Sequence, residues 1–343
     1  MRILVLRTSA MGDVALVVPV LTAFRKQYPD AETVFVTRKA YNAFFSNDLQ
    51  FTIYNPEFGG RHKGLPGIFR LYRDLSAFGT FDHVLDLHNV LRTRLLRFLF
   101  RIRGVKINVI DKGRRDKRRV IRGRLKEPLR HTVHRYCDVF SRAGLPVEPL
   151  TTPSIKVTES AKEVASRLTG DLPVINIGVA PFALHQLKMW PHDYLKELIT
   201  KISERHKVKF WFFGSPGEHD LLQSFVSVAP GSANLSGKLT LEEELAVMSR
   251  LDFMIAMDSS NMHMAALSGT KVISIWGGTD PLNGFGAWMQ PQEFSISIPV
   301  TVLTCRPCTV YGKGRCSRGD FACMNWLTPE IVYQKIRSLK LLT

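Results

Sequence analysis

Arg2-Ile-Leu-Val-Leu-Arg-Thr-Ser-Ala-Met-Gly-Asp-Val14 passes from an unbroken apolar run into a short stretch of small and polar residues. From Val14 to Gln27 the apolar positions then recur at the helical period. Ile3 to Leu6 reads as a strand, and the whole segment as strand, loop and helix. Gly12 lets the backbone of that loop come close to a ligand, and the start of the helix offers N–H groups and a positive dipole. Asp13 has two readings at this position. It is either an N-cap that satisfies amides or a general base that takes a proton from an attacking hydroxyl.

The same alternation continues outward. Thr33 to Thr37, Phe51 to Tyr54, His83 to Leu87 and Val105 to Ile110 read as strands, Val90 to Phe100 as a helix, and His131 to Ala143 as a helix after a basic stretch where the pattern fades. Gly144 to Ser154 is punctuated by Pro146, Pro149 and Pro153 and reads as a linker. Alternation then resumes with strands at Val174 to Val179, Val208 to Phe213, Asp252 to Met257 and Lys271 to Trp276. Helices are expected at His192 to Arg205, Pro216 to Val228, Leu241 to Ser249, Asn261 to Leu267 and Pro329 to Leu342.

Strands separated by helices imply parallel sheets with right-handed crossovers. The expected architecture is therefore α/β, with two doubly wound domains facing across a cleft: residues 1–150, residues 151–328 and a closing helix in 329–343. Ligands of such domains collect at the carboxyl edges of the sheets.

At 343 residues and 45% hydrophobic content the chain can bury two cores, which excludes a disordered or fibrous protein. Met1 to Arg7 lacks the regions of a signal peptide, and no window has the apolar length of a spanning helix, so the expectation is a cytoplasmic protein. Neither a GxGxxG fingerprint, a P-loop nor a GxSxG elbow is present. Dehydrogenase, kinase and esterase chemistry lose their support.

Three further groups could carry chemistry. Lys188-Met-Trp-Pro191 stands just before a helix, where a lysine is either solvated or able to hold a diphosphate beside helix N-terminal amides. Asp258-Ser-Ser-Asn-Met-His263 lies between a strand and a helix and exposes amide donors at the helix start. His263 is either a buried structural histidine or a ligand-facing one. Gly277-Gly-Thr-Asp-Pro281 is a turn-rich loop at the same edge.

The net charge of +17 is concentrated. Fifteen basic residues between Arg97 and Arg135 face only Asp111, Asp116 and Glu127, so twelve of the seventeen excess charges lie in this segment. An anionic partner follows. Nucleic acid is not expected, because no binding module and almost no stacking aromatics accompany the charge. An anionic membrane surface is expected instead. Cys305, Cys308, Cys316 and Cys323 form a C-x2-C-x7-C-x6-C run that could hold structural zinc, form disulfides or stay reduced.

Taken together, Arg2 to Val14, Asp86-Leu-His-Asn-Val-Leu-Arg-Thr93, Lys188-x-Trp-Pro, Asp258 to His263 and Gly277-x-Thr-Asp-Pro281 resemble glycosyltransferase family 9, the ADP-heptose:lipopolysaccharide heptosyltransferases. The resemblance covers nearly the whole chain. It implies a GT-B fold and an inverting, metal-independent transfer from an ADP-sugar donor, with no cofactor required. It implies Asp13 as the base, with Ser9, Met11 and Gly12 shaping the acceptor pocket, and His131 and Arg135, spaced i, i+4 on one helix face, meeting acceptor phosphates. Lys188 would hold the donor diphosphate, Glu218 the ribose, and Asp258, Ser259, Ser260 and His263 would line the donor site.

The chain departs from the family where Asp-Thr-Gly-Leu-x-His becomes Asp-Ser-Ser-Asn-Met-His, and where Ala183 and Leu184 replace hydroxyl residues. Both changes touch donor-sugar contacts. The expected partners are the nucleotide-sugar donor and a phosphorylated glycolipid acceptor, met by a monomer at the inner face of the cytoplasmic membrane. Rival readings are a nucleotide-sugar epimerase or hydrolase of the same fold, or a nonenzymatic polyanion-binding protein.

Overall fold

The computed structural model describes residues 1–45, 49–170 and 173–342. In chain order its first elements are β1 (Arg2–Leu6), α1 (Met11–Ala15), α2 (Val18–Gln27), β2 (Glu32–Val36), β3 (Thr52–Tyr54), α3 (Gly64–Ser76), β4 (His83–Asp86), α4 (Leu91–Ile102), β5 (Lys106–Val109), α5 (Arg114–Ile121) and α6 (Thr132–Arg142). There follow α7 (Glu159–Thr169), β6 (Ile175–Ala180), α8 (His192–Ser203), β7 (Val208–Phe212), α9 (His219–Val226), β8 (Ala233–Asn234), α10 (Leu241–Met248), β9 (Phe253–Met257), α11 (Ser260–Leu267), β10 (Lys271–Ile275), β11 (Ser295–Ile296), α12 (Ala322–Asn325) and α13 (Pro329–Ser338).

Two parallel sheets result, in the order β3-β2-β1-β4-β5 and β11-β10-β9-β6-β7-β8. The α/β expectation of two doubly wound sheets is met. β1 lies centrally, with Leu6 in register with Val36 on one side and Asp86 on the other. Ile3 to Leu6 are buried because helices cover both faces of the sheet. β8 and β11 are two-residue edge strands, too short to show a periodicity in the sequence.

The helix expected over Val14 to Gln27 is broken at Leu16 and Val17. Pro19 in the first turn of α2 has no N–H with which to continue the ladder of α1. The basic stretch, read as a fading pattern, contains α5. Its Lys117 and Val120 are buried, and the Lys117 ammonium lies 3.7 Å from the centre of the Phe285 ring.

The compact units cut the chain differently from the linker composition. One comprises residues 1–112 and 132–156; the other comprises 113–131 and 157–343. The reason is local: besides the Lys117 contact, Leu129 N–H donates to Leu282 O, so the α5 segment belongs with the loop after β10. α13 also belongs to the second unit, where the Trp190 indole N–H donates to Leu327 O at 2.8 Å just before it.

In the first unit, the wholly buried carboxylate of Asp86 ends β4. Its Oδ1 accepts from the backbone N–H of His88 and Asn89 at 2.9 and 2.7 Å, and its Oδ2 pairs with Arg97 of α4 at 2.6 Å. Arg97 is thus an internal counter-ion. Arg97→Ala leaves a carboxylate out of water without its charge partner and should destabilise the protein by about 3 kcal/mol. Arg94→Ala, at an exposed site on the same helix, should stay within about 0.5 kcal/mol. Urea denaturation of the two variants checks this, and equal losses would contradict it.

Candidate functional site

The loop after β1 is organised by Arg7. Its guanidinium is buried, donates to Leu87 O at 2.7 Å and pairs with Asp13 at 2.5 Å. Burial alone would lower the pKa of Arg7, but Asp13, with Tyr136 and Asp86, outweighs it and the net shift is upward. The Tyr136 hydroxyl donates to the Asp13 backbone carbonyl at 3.0 Å, so α6 braces the first turn of α1. The N-cap of α1 is Ala10, not Asp13. Of the two readings of Asp13, the capping one is therefore not realised, and its carboxylate is oriented by an arginine.

His88 lies beneath the same loop. Its Nδ1 is 3.1 Å from Thr8 Oγ1 and its Nε2 is 3.3 Å from Ser9 Oγ. Burial, then the charges of Arg7 and Lys112, push its pKa down to about 3. At neutral pH the imidazole is uncharged, with one nitrogen as donor and the other as acceptor, and it fixes both hydroxyls. Ser9 thus stands on a loop whose shape is set from below, and Met11, Gly12 and Asp13 on the short helix α1 that follows it.

In the second unit, Lys188 ends a short 3-10 turn, and its ammonium is 2.8 Å from Asp258 Oδ2. The same oxygen accepts from the Thr279 hydroxyl at 2.8 Å. Asp258 closes β9, and Ser259 is the N-cap of α11 with extended backbone and no side-chain cap bond. The buried Ser259 Oγ has no hydrogen-bond partner among the described residues. Ser260 begins the helix and His263 is buried in it. Lys188 is thus paired with Asp258, which is followed directly by Ser259 and Ser260 at a helix start whose N-cap side chain makes no capping bond.

Glu218 ends the short 3-10 turn Pro216–Glu218 that follows β7. Its Oε2 accepts from Ser215 N–H at 2.6 Å and from Ser215 Oγ at 2.8 Å, a capping box that holds the carboxylate in place. His131 and Arg135 do not share a helix face as expected. His131 precedes α6 in the second unit, 3.0 Å from Gly286 O and against Trp288, whereas Arg135 is buried in the first unit and donates to Asp111 O at 3.2 Å.

The cysteine run makes no disulfide. Among the described residues no three His, Cys, Asp or Glu side chains gather so as to hold a metal ion, so the structural zinc considered from the spacing is not supported. The loop is braced by Arg306 instead. This buried guanidinium donates to Gly277 O at 2.6 Å, to Thr279 O at 3.0 Å and to Ile298 O, and it stands 3.3 Å from Asp280. Burial pushes the Cys323 thiol up to about 11 despite Arg306, and raises Cys308 as well, so both are thiols at neutral pH. Gly312, at φ +83°, lies against the stem of Lys188, where a Cβ would come within 2.7 Å of Cγ.

Arg7, His88, Thr279 and Arg306 escaped the sequence reading. The first three stand inside motifs quoted there, Arg7 and His88 just after β1 and β4, and position on the sheet edge was the available signal. The basic segment is not one continuous face: Arg97, Lys117 and Arg135 are committed internally, and its residues divide between the two units.

The sequence profile of glycosyltransferase family 9 (heptosyltransferase) matches residues 68–309. Lipopolysaccharide core heptosyltransferase OpsX of Haemophilus influenzae is 23% identical over 286 residues, covering 81% of this chain and 79% of that protein. Lipopolysaccharide heptosyltransferase 1 of Escherichia coli is 22% identical over 310 residues, covering 83% and 91%. Among solved structures, a family 9 glycosyltransferase of Veillonella parvula superposes with a TM-score of 0.77 at 21% identity, covering 100% of this chain and 98% of that one. ADP-heptose lps heptosyltransferase II of E. coli gives 0.69 at 18% identity and 99% coverage of both. The shared fold is GT-B.

Because His88 has a folded pKa below the unfolded value of 6.5, the unfolded chain takes up its proton first. Its contribution to stability is whole above about pH 6.5 and is lost as pH falls toward 3. The ring protons of His88 should show no titration between neutral pH and about pH 4 by NMR, and His88→Asn should flatten the fall of stability over that window. A ring that titrates near 6.5 would remove the buried Thr8-His88-Ser9 arrangement.

Proposed function

Because the chain belongs to glycosyltransferase family 9 it is a glycosyltransferase, and we propose that it moves a heptose from ADP-heptose to a phosphorylated glycolipid of the lipopolysaccharide core. The curated relatives are lipopolysaccharide heptosyltransferases, and the coarse reading rests on them. The observation that carries the finer reading is the pairing of Lys188 with Asp258 at the uncapped start of α11. An ammonium and several amide N–H groups at one point suit a nucleoside diphosphate leaving group.

In this mechanism Asp13, oriented by Arg7, takes the proton from a hydroxyl of the acceptor sugar as that oxygen attacks the anomeric carbon. The bond to the ADP oxygen breaks on the opposite side, and the configuration inverts. Lys188 and the α11 amides receive the charge that develops on the leaving diphosphate, the task a divalent ion performs in other transferases. No Asp-x-Asp pair occurs in the chain, in keeping with a metal-independent transfer. Asp258 holds Lys188 in place, Glu218 accepts from the donor ribose, and Ser259, Ser260 and His263 line the donor site.

Ser9, Met11 and Gly12 shape the acceptor pocket. Leu184, 90% exposed, and Ala183 offer no hydroxyl near Lys188, so the donor's sugar hydroxyls are recognised elsewhere. The enzyme works in the cytoplasm, at the inner face of the membrane that carries its acceptor.

Asp13→Asn should lower transfer by about 10²- to 10⁴-fold while ADP affinity is kept, since an amide preserves the shape but accepts no proton. Lys188→Ala should weaken ADP binding about 10- to 100-fold, the loss of one charged hydrogen bond. Radiolabel transfer to a lipopolysaccharide-core acceptor and calorimetric titration with ADP measure the two. Full turnover by Asp13→Asn would remove it as the base, and unchanged ADP affinity in Lys188→Ala would remove the diphosphate cradle.

A further inference from the structure

We infer that the outward side of the α3–α4 layer is a docking surface for an anionic lipid bilayer. The inference deepens the reading above and rests on it for the lipid-borne acceptor. α3 and α4 cover the same face of the five-stranded sheet, since Ile68, Leu71 and Leu75 of one helix and Leu96 and Phe100 of the other enter a single core with the strands. Their opposite sides therefore form the outside of one layer.

That outside is not polar. In Leu91-Arg-Thr-Arg-Leu-Leu-Arg-Phe-Leu-Phe-Arg-Ile102 the core takes Thr93, Leu96 and Phe100. A second apolar stripe, Leu91, Leu95, Phe98 and Ile102, follows at spacings of four, three and four along the opposite side. Leu91 is 73% exposed, Phe98 58% and Ile102 65%, with Leu95 half-buried. α3 adds Leu65 at 62% and Phe69 at 57%, one helical turn apart. A helix with an apolar face on both sides has burial left to complete.

The charge beside the stripe chooses the occupant. α4 carries four arginines and no acidic residue. Arg97 is consumed by Asp86, but Arg94 and Arg101 are exposed along one flank of the stripe, and Arg103 is exposed just beyond it. On α3 the acidic residue is Asp74, already held by Arg61, His62 and Tyr54. A symmetric pairing with a second copy would set these arginine rows against each other with no free carboxylate on either helix to meet them. An anionic bilayer supplies both missing partners: headgroup phosphates for the guanidinium groups, and acyl chains for the stripe, which would sink about 5–10 Å into the interface.

The test is co-sedimentation of the full chain with vesicles of phosphatidylcholine alone and of phosphatidylcholine with phosphatidylglycerol. The unmodified protein should bind the anionic vesicles and release from them in high salt. Arg94→Gln with Arg101→Gln should weaken that binding about thirty-fold, roughly fivefold for each basic residue at the surface. Phe98→Ser with Ile102→Ser should weaken it by about tenfold or more while leaving ADP affinity and thermal stability unchanged. Absence of binding by the unmodified protein would overturn the proposal. So would retained binding by the Phe98/Ile102 variant, or an oligomer in analytical ultracentrifugation that this variant dissociates. If vesicles bind but neither ADP nor ADP-heptose does, the proposed function fails while the lipid surface stands.

Discussion

A carboxylate removed from water at the end of β4 constrains everything around the first loop cluster. Asp86 cannot be buried as an ion without full compensation, and it obtains that from two backbone N–H groups and the guanidinium of Arg97. Those bonds fold the chain after β4 into the turn that delivers His88 beneath Thr8 and Ser9. They also let Leu87 O receive Arg7, which in turn orients Asp13. The reactive-looking loop is thus the upper layer of a stack whose foundation is one internal ion.

The second unit solves an equivalent problem with the opposite charge. Arg306 is buried among carbonyl oxygens from Gly277, Thr279 and Ile298, with Asp280 close by. By fixing Thr279 it fixes the hydroxyl that shares Asp258 with Lys188. The cysteine-rich loop is therefore tied to the Lys188–Asp258 pair through a guanidinium, and the raised pKa of the buried Cys323 thiol follows from its own removal from water.

Most of the fold was legible because the central parallel strands, buried on both faces, are continuous apolar runs, and nine of the eleven strands among the described residues stand out in the sequence. β8 and β11 were not legible, being two residues each, and α5 was hidden because a helix with six charged residues in eight carries almost no periodic signal. The site was legible as motifs: Asp13, Lys188 and Asp258 lie where strand ends meet helix starts. Their partners were not, since Arg7 to Asp13 and Thr279 to Asp258 are tertiary contacts that spacing does not encode. The same holds for the basic segment, where Arg97 and Arg135 look like their solvated neighbours until their acceptors are seen.

The close approach of Gly312 to Lys188 has a further consequence. A lysine on an open surface samples many rotamers, and ordering it on a ligand costs up to about 2 kcal/mol of side-chain entropy. Here the methylene stem is already wedged between the glycine backbone and Asp258, so most of that freedom was surrendered when the chain folded. For the diphosphate proposed as its ligand, the ammonium stands on a stem that is already ordered, so little side-chain entropy remains to be lost on binding.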